Sequence, residues 1–287
     1  MNLHPFGMLC IGNKGVNQMD LVSAIVATYN SANTVIETLD SIYDQTYSRI
    51  ELIVSDDGST DNTRKIVKEW CKTHYKRFER VLLRNPKRNL GVARNCNHAI
   101  AQANGKWISW IAGDDIWLPQ CIERRVTYVT GHKCEMVLTQ VELFGREGSN
   151  LNKMKQYCQR GYKLLRLDIK EQQSEIVKGN FVAGPMGGFF SKDFFYRMGG
   201  YDENYPSVED YPFYYKLIMK GYEIPFLEET LARYRIADNS LFHSNGYVLN
   251  DFTKSLRHFF YQKQLWGLLK YGYFRVAWEL HMRYSRL

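Results

Sequence analysis

The 287-residue chain has six cysteines (Cys10, Cys71, Cys96, Cys121, Cys134, Cys158) but no CxxC or other metal-ligand spacing among them. They read as reduced, mostly structural thiols of a cytosolic protein rather than as zinc ligands or a disulfide framework. No apolar run approaches the roughly 18 residues needed to span a bilayer. The stretch from Phe6 to Ile11, broken by Gly7 and followed by Gly12-Asn13-Lys14-Gly15, is too short for a signal-peptide core with its cleavage site. Internal repeats, low-complexity tracts and recognised nucleic-acid motifs are all missing. Disorder is not the expectation either, because 45% hydrophobic content suffices for one large α/β domain or two small ones.

Positive charge is present in excess, +8, and unevenly placed. Residues 251–287 hold seven Lys/Arg (Lys254, Arg257, Lys263, Lys270, Arg275, Arg283, Arg286) against Asp251 and Glu279, five of the eight net charges in 37 residues. The same segment carries Phe252, Phe259, Phe260, Tyr261, Trp266, Tyr271, Tyr273, Phe274, Trp278 and Tyr284. Cations interleaved with aromatics suit an interfacial helix on an anionic leaflet, each cation contributing on the order of 1 kcal/mol. The same composition also suits packing onto the rest of the chain or onto a second subunit.

The first half alternates strand and helix signals. Leu21 to Ala27 is a buried-strand run, and Thr34-Val35-Ile36-Glu37 matches a capping box opening a helix. Glu51 to Ser55 predicts a second strand, with a helix from about Asp61 carrying Ile66, Val67, Trp70 and Cys71. Arg80 to Leu83, Val92 to Ala103 and Trp107 to Ile111 continue the alternation, which implies a mostly parallel, doubly wound sheet. Ligands bind such sheets beyond the carboxyl ends of the strands. Here those ends read Thr28-Tyr29-Asn30, Asp56-Asp57-Gly58-Ser59 and Gly113-Asp114-Asp115, the last followed by a new helix from Ile116-Trp117-Leu118-Pro119. After Glu135 the alternation fades. Gly145 to Lys178 reads as a mobile or acceptor-facing segment, Gly179 to Ser191 as a resumption of the pattern, and Val208 to Lys220 as a helix.

Each acidic group has two readings. Asp114-Asp115 suits a hard divalent cation that shares its shell with substrate phosphates, or an Asp-rich turn. Asp56-Asp57 suits an acceptor for a base N–H or ribose hydroxyl, or a turn capping the next helix. Glu209-Asp210 suits a general base for a hydroxyl, or acidity at a helix N-terminus.

Their order resembles the family 2 glycosyltransferases with the nucleotide-binding GT-A fold. The matching stretches are Val22 to Asn30, Ile53 to Asn62, Asn89-Leu90-Gly91-Val92-Ala93-Arg94-Asn95, Gly105 to Asp115, and Gly199 to Glu203 with Glu209-Asp210. The resemblance implies a cytoplasmic enzyme, peripheral at the inner face of a bacterial membrane, that moves a hexosyl or N-acetylhexosaminyl group from a nucleotide-sugar, UDP-linked by family habit. It implies a divalent metal, Mn²⁺ or Mg²⁺, an inverting single displacement, and as acceptor a polyprenyl-diphosphate-linked saccharide of O-antigen or capsule assembly. Thr28, Tyr29 and Asp57 would meet the nucleoside with Asp56 beside them. Gly91 and Arg94 would shape the phosphate side. Asp114 and Asp115 would fill the metal motif, Asp115 first; Asp210 would be the base and Glu209 its neighbour.

The expected division is an N-terminal extension (1–20), a donor half (21–135), a half for the acceptor and the base (136–245) and a basic helical tail (246–287). One departure from the family pattern is Ala237, after Tyr234-Arg235, where many members carry a metal-binding His; His243 is either its substitute or an ordinary surface residue. A catalytically silent binding protein keeping the fold is the alternative. A sugar-1-phosphate nucleotidyltransferase would need a Gly-rich basic loop where Thr28-Tyr29-Asn30-Ser31 stands.

Overall fold

The computed structural model describes residues 19–145, 149–179, 188–236 and 251–286. Cys10, Ala237 and His243 lie outside the described residues. Four strands, β1 (Val22–Thr28), β2 (Ile50–Asp56), β3 (Val81–Arg84) and β4 (Trp107–Ala112), pair in parallel in the order β3-β2-β1-β4. Helices α1 (Val35–Tyr43), α2 (Thr63–His74) and α3 (Val92–Ala101) form the crossovers. Both faces of this half are covered, which is why its strands are continuous apolar runs instead of alternating ones. Ala24, Val26, Leu52 and Val54 share one core with α1 and α2, whereas Ile25 and Ile53 turn to the other face and pack with α3.

Beyond β4 the sheet continues as β7 (Gly188–Ser191), β6 (Met136–Gly145), β8 (Phe226–Ile236) and β5 (Ile116–Trp117). Strand β7 is antiparallel to both β4 and β6, β8 is parallel to β6, and β5 is antiparallel to β8. The mostly parallel expectation therefore holds throughout the first four strands and again at β6–β8, with antiparallel pairings at β4–β7, β6–β7 and β5–β8. The remaining helices are α4 (Cys121–His132), α5 (Ser149–Leu164), α6 (Ile169–Ile176), α7 (Lys192–Arg197) and α8 (Asp210–Met219). The tail follows as α9 (Asp251–Phe259), a π-helical turn (Phe260–Gln264), α10 (Leu265–Lys270) and α11 (Phe274–Ser285).

Three local readings are corrected. The Thr34–Glu37 capping box does not form: Thr34 Oγ1 donates to the Gly113 carbonyl at 2.8 Å, and Glu37 accepts from Arg235 Nη2 at 2.7 Å. Tertiary partners take both side chains, and a true capping box appears instead at Asp168 and Glu171 of α6. Ile116-Trp117 is a short strand, not a helix start, because its edge pairs with Arg233 and Ala232 of β8. The polar stretch after Gly145 is largely helical, as α5 and α6, with Met154 and Cys158 buried against Ile236.

The tail folds back onto the domain. Phe259, Phe260, Leu268, Ala277 and Tyr284 enter the same core as Tyr211 and Tyr215 of α8, and Phe252, Tyr261, Tyr271 and Tyr273 pack partly buried against it, so the packing reading accounts for seven of the ten aromatics. Among the described residues no helix is long and apolar enough to cross a membrane, and the five cysteines are free thiols.

Candidate active site

Parallel register brings three strand ends together: Thr28 lies opposite Asp56, and Ala27 opposite Ala112. The loop after β4 fits tightly against the end of β1. A Cβ on Gly113 would lie 2.8 Å from Thr28 Cγ2 and 3.0 Å from Ser31 Oγ, so a larger residue would push Asp114 and Asp115 away from β1.

Asp56 and Asp57 are adjacent but do different things. Asp56 is buried and accepts from Thr28 Oγ1 (3.1 Å), the Ser59 amide (3.0 Å), Ser59 Oγ and Arg64 Nε (2.7 Å). With that many internal donors it ties the β1 and β2 loops together and has little capacity left for a ligand. Asp57 reaches across to the turn before α3, where Oδ1 accepts the Leu90 amide and Oδ2 the Gly91 amide, each at 2.9 Å. One lone pair on each oxygen remains available to a ligand. Burial raises the Asp57 pKa; the two amides and the nearby Arg84 guanidinium work against that rise. Tyr29, the first residue past β1, is 49% exposed, its ring presented to solvent.

Gly91 has φ +86°, and a Cβ there would stand 2.8 Å from the Pro206 carbonyl oxygen. This close approach joins the turn before α3 to the segment leading into α8. Two further contacts reinforce the joint: the Ala93 amide donates to the Pro206 carbonyl (3.2 Å), and Arg94 Nε donates to Glu203 (2.7 Å). Arg94, expected beside phosphate, is thus paired with a carboxylate of the α8 side.

Asp115 is fully buried, whereas Asp114 keeps partial exposure. Asp115 Oδ1 accepts the Arg235 amide at 2.9 Å, and Oδ2 is buried with no hydrogen-bond partner. Burial, then the neighbouring Asp114, pushes the Asp115 pKa well up; burial also raises that of Asp114. An unpartnered carboxylate oxygen beside a second carboxylate fits a cation. Among the described residues no group of three or more His, Cys, Asp or Glu surrounds them. The pair therefore suits Mg²⁺ or Mn²⁺ completed by phosphate oxygens rather than an all-protein cage.

Glu209 and Asp210 start α8. Glu209 makes no side-chain cap to the helix, is buried, and has its pKa pushed well up by burial and then by Asp210. Asp210 is only partly buried, and its Oδ1 accepts the Tyr211 amide at 2.6 Å. The buried Cys96 thiol of α3 is pushed well up by burial, and then by the charges of Glu209 and Asp57.

Two residues escaped the sequence reading. Arg84, the last residue of β3, donates to Ser55 Oγ (3.1 Å) and Asn95 Oδ1 (2.8 Å) near Asp57; the strand-end rule applied to β3 would have found it. Arg235 clamps the loop after β4, its Nε donating to the Asp114 carbonyl at 2.7 Å. No local signal links it to a loop 121 residues earlier.

A sequence model described as glycosyl transferase family 2 matches residues 23–199. The chain belongs to this family. An uncharacterized glycosyltransferase of Methanocaldococcus jannaschii is 27% identical over 269 residues, 90% of this chain and 88% of the relative. A Bacillus subtilis glycosyltransferase named for teichuronic acid biosynthesis is 24% identical over 89% of this chain and 96% of its own length. Among solved structures, S. aureus TarS 1–349 in complex with UDP-GlcNAc aligns with TM-score 0.63 at 21% identity, over 87% of this chain and 66% of that one. The mannosyltransferase PcManGT of Pyrobaculum calidifontis, in complex with GDP-Man and Mn²⁺, aligns with TM-score 0.60 at 20% identity, over 93% and 76%. The sheet described above is thus a GT-A fold, and the chain is a family 2 glycosyltransferase.

Proposed function

We propose that this family 2 glycosyltransferase moves one sugar from a UDP-sugar to a hydroxyl of a lipid-linked saccharide, with inversion at the anomeric carbon, during envelope polysaccharide assembly. The observation that carries the reading is the close joint between Gly91 and Pro206, which holds the Asp57 turn and the Glu209-Asp210 helix start as one body beside the end of the sheet. The donor relatives' ligands, UDP-GlcNAc in TarS and GDP-Man with Mn²⁺ in PcManGT, agree with a diphosphate donor and a divalent cation.

In this reading Asp57 accepts a base N–H on its remaining lone pairs while Tyr29 lies against the base. Asp114, the more accessible carboxylate, and Asp115, through its unpartnered oxygen, would hold the cation. Such an ion supplies positive charge opposite the charge developing on the departing diphosphate. Asp210 accepts the proton of the acceptor hydroxyl, whose oxygen bonds to the anomeric carbon as the bond to the diphosphate oxygen breaks and its electron pair leaves with the nucleotide. Glu209, whose carboxyl is pushed well above its usual range by burial and then by Asp210, stands beside that base as its buried neighbour. Residues 21–135 would serve the donor, and 136–245 the acceptor and the base.

The test is Asp210→Asn. Transfer is expected to fall by about 10²–10⁴-fold while calorimetric UDP affinity is kept, and NMR of the wild-type product should show the inverted anomer. Undiminished transfer would remove Asp210 as base, and a retained anomer would remove the single displacement. Wild-type UDP binding without transfer from any donor would favour a silent binding protein.

A further inference from the structure

Three of the tail's ten aromatics stay outside the hydrophobic core, and the ring that Trp278 meets, His281 at 6.1 Å between centroids, lies on its own helix. Trp266 (68%), Phe274 (66%) and Trp278 (64%) are the most exposed large apolar side chains among the described residues, and Leu269 is also exposed. They follow helical spacing: Trp266 and Leu269 stand three apart on α10, Phe274 and Trp278 four apart on α11, with half-exposed Met282 four further on. The opposite faces of these helices, Leu268, Ala277 and Tyr284, are buried in the catalytic core. Each helix is therefore apolar on both sides. Burial against the domain explains one side only.

Charge decides what meets the other. Lys263, Lys270, Arg275 and Arg283 are exposed on the same elements, and Glu279 is the one acidic residue between Lys254 and Arg286. A symmetric contact with a second copy would set this basic face against itself, like charge on like. Single-stranded nucleic acid is bound by stacking along a positively charged groove, whereas these side chains project from the outer faces of two helices and include an aliphatic Leu. Exposed aromatic and aliphatic groups on elements that also expose Lys263, Lys270 and Arg283, with Arg275 paired to Glu279 at 2.8 Å, match an anionic bilayer interface.

We infer that the outer face of α10 and α11, through Trp266, Leu269, Phe274 and Trp278 with Lys263 and Lys270, docks this enzyme on an anionic lipid surface. Docking also orients the catalytic domain, because the tail is tied to it at several points. Gln264 Nε2 donates to the Val177 carbonyl (3.0 Å) and Tyr215 Oη to the Lys263 carbonyl (3.2 Å). Helix α9, at the tail's start, lines a cavity of about 340 Å³ with Asn89, Gly91 and Pro206, next to the donor turn. The purpose of docking rests on the lipid-linked acceptor reading; its physical test does not.

That test uses the intact protein and no substrate, so a failure of the transfer reading leaves it unaffected. Vesicles of phosphatidylglycerol with phosphatidylcholine should sediment the wild type, and pure phosphatidylcholine should not. Salt at 1 M, where the Debye length is about 3 Å, should lower binding by at least about tenfold. Of the six tryptophans, Trp70, Trp107, Trp110 and Trp117 are buried, so quenching by brominated lipid reports Trp266 and Trp278 in the unaltered protein. The triple variant Trp266→Ser, Phe274→Ser, Trp278→Ser should lose at least about tenfold in vesicle binding, with UDP affinity and melting temperature unchanged. Tyr196→Ala, an exposed aromatic on α7, should change nothing. If the triple variant does not fold, Lys263→Glu with Lys270→Glu reads the same surface through charge. The inference is overturned if the wild type ignores anionic vesicles, if brominated lipid leaves its fluorescence unquenched, or if the folded variants bind as well as wild type. It is equally overturned if sedimentation velocity shows a wild-type dimer that the triple variant dissociates, or if these residues instead bind single-stranded DNA.

Discussion

Replacing Asp57 by Asn separates what its carboxylate does for the fold from what it does for a bound base. The two oxygens accept one amide each, from Leu90 and Gly91, both at 2.9 Å, in a side chain that is 4% exposed. An amide keeps one acceptor and turns a donor toward the other N–H, so one buried backbone group loses its partner. That costs about 1–3 kcal/mol, and at about 2–4 °C per kcal/mol for a chain of this size Tm falls by roughly 2–12 °C.

If the ionised carboxylate also accepts the imide N–H of uracil, losing that charge-assisted bond weakens binding by about 1.5–3 kcal/mol, a rise of roughly 10- to 150-fold in Kd for UDP. The pH dependence carries a sign. Burial raises the Asp57 pKa, so the folded protein holds this proton more tightly than the unfolded chain. The group's contribution to stability is therefore greatest below about pH 3.9, the unfolded value, and is lost as pH rises through the folded one. UDP needs the ionised form, so its affinity runs the other way and falls on acidification, in wild type but not in Asp57→Asn. Calorimetry with UDP and Mn²⁺ at several pH values, beside thermal melts, measures both effects. A folded Asp57→Asn that binds UDP within about twofold of wild type, or with the same pH dependence, would take Asp57 out of the base site.

Asp115→Asn keeps the acceptor for the Arg235 amide while removing a carboxyl whose ionisation burial disfavours, so the ligand-free Tm near neutral pH should hold or rise by roughly 2–4 °C. Mn²⁺ with UDP, worth about 2.7 kcal/mol to the wild type at a hundredfold excess over Kd, should no longer stabilise this variant in thermal melts; equal stabilisation would exclude Asp115 from the cation site. Arg235→Lys cannot reproduce the two side-chain bonds to the Asp114 carbonyl and Glu37, and should raise the Mn²⁺ concentration for half-maximal protection by about tenfold or more. An unmoved Mn²⁺ titration would show that the loop after β4 holds its shape without the clamp.

The order of strands and helices through residue 112 was legible because buried parallel strands leave long apolar runs and their crossovers a helical period. The carboxylates at the strand ends stood out for the same reason, as acids directly after apolar runs. The tail was legible only as composition: charge and aromatics announced a surface or a core, and packing alone assigned Phe259, Phe260 and Tyr284 to the core and left Trp266, Phe274 and Trp278 outside.

The capping box at Thr34 and Glu37 shows the limit from the other side, since a local motif is a set of possible bonds, and Gly113 in the loop after β4 and Arg235 of β8 made better ones. Sequence by itself determined the strand-helix units, the basic tail and the acids that could meet a nucleotide-sugar. Tertiary structure alone decided that Asp56 is consumed internally while Asp57 keeps lone pairs free. It also decided that Arg94 pairs with Glu203, and that Arg235 closes on Asp114 and Asp115. Hydrogen-bond capacity at a buried site is set by which chain segments arrive there, and for Arg94–Glu203 and Arg235–Asp114, more than a hundred residues apart, neither local sequence carries a joint pattern.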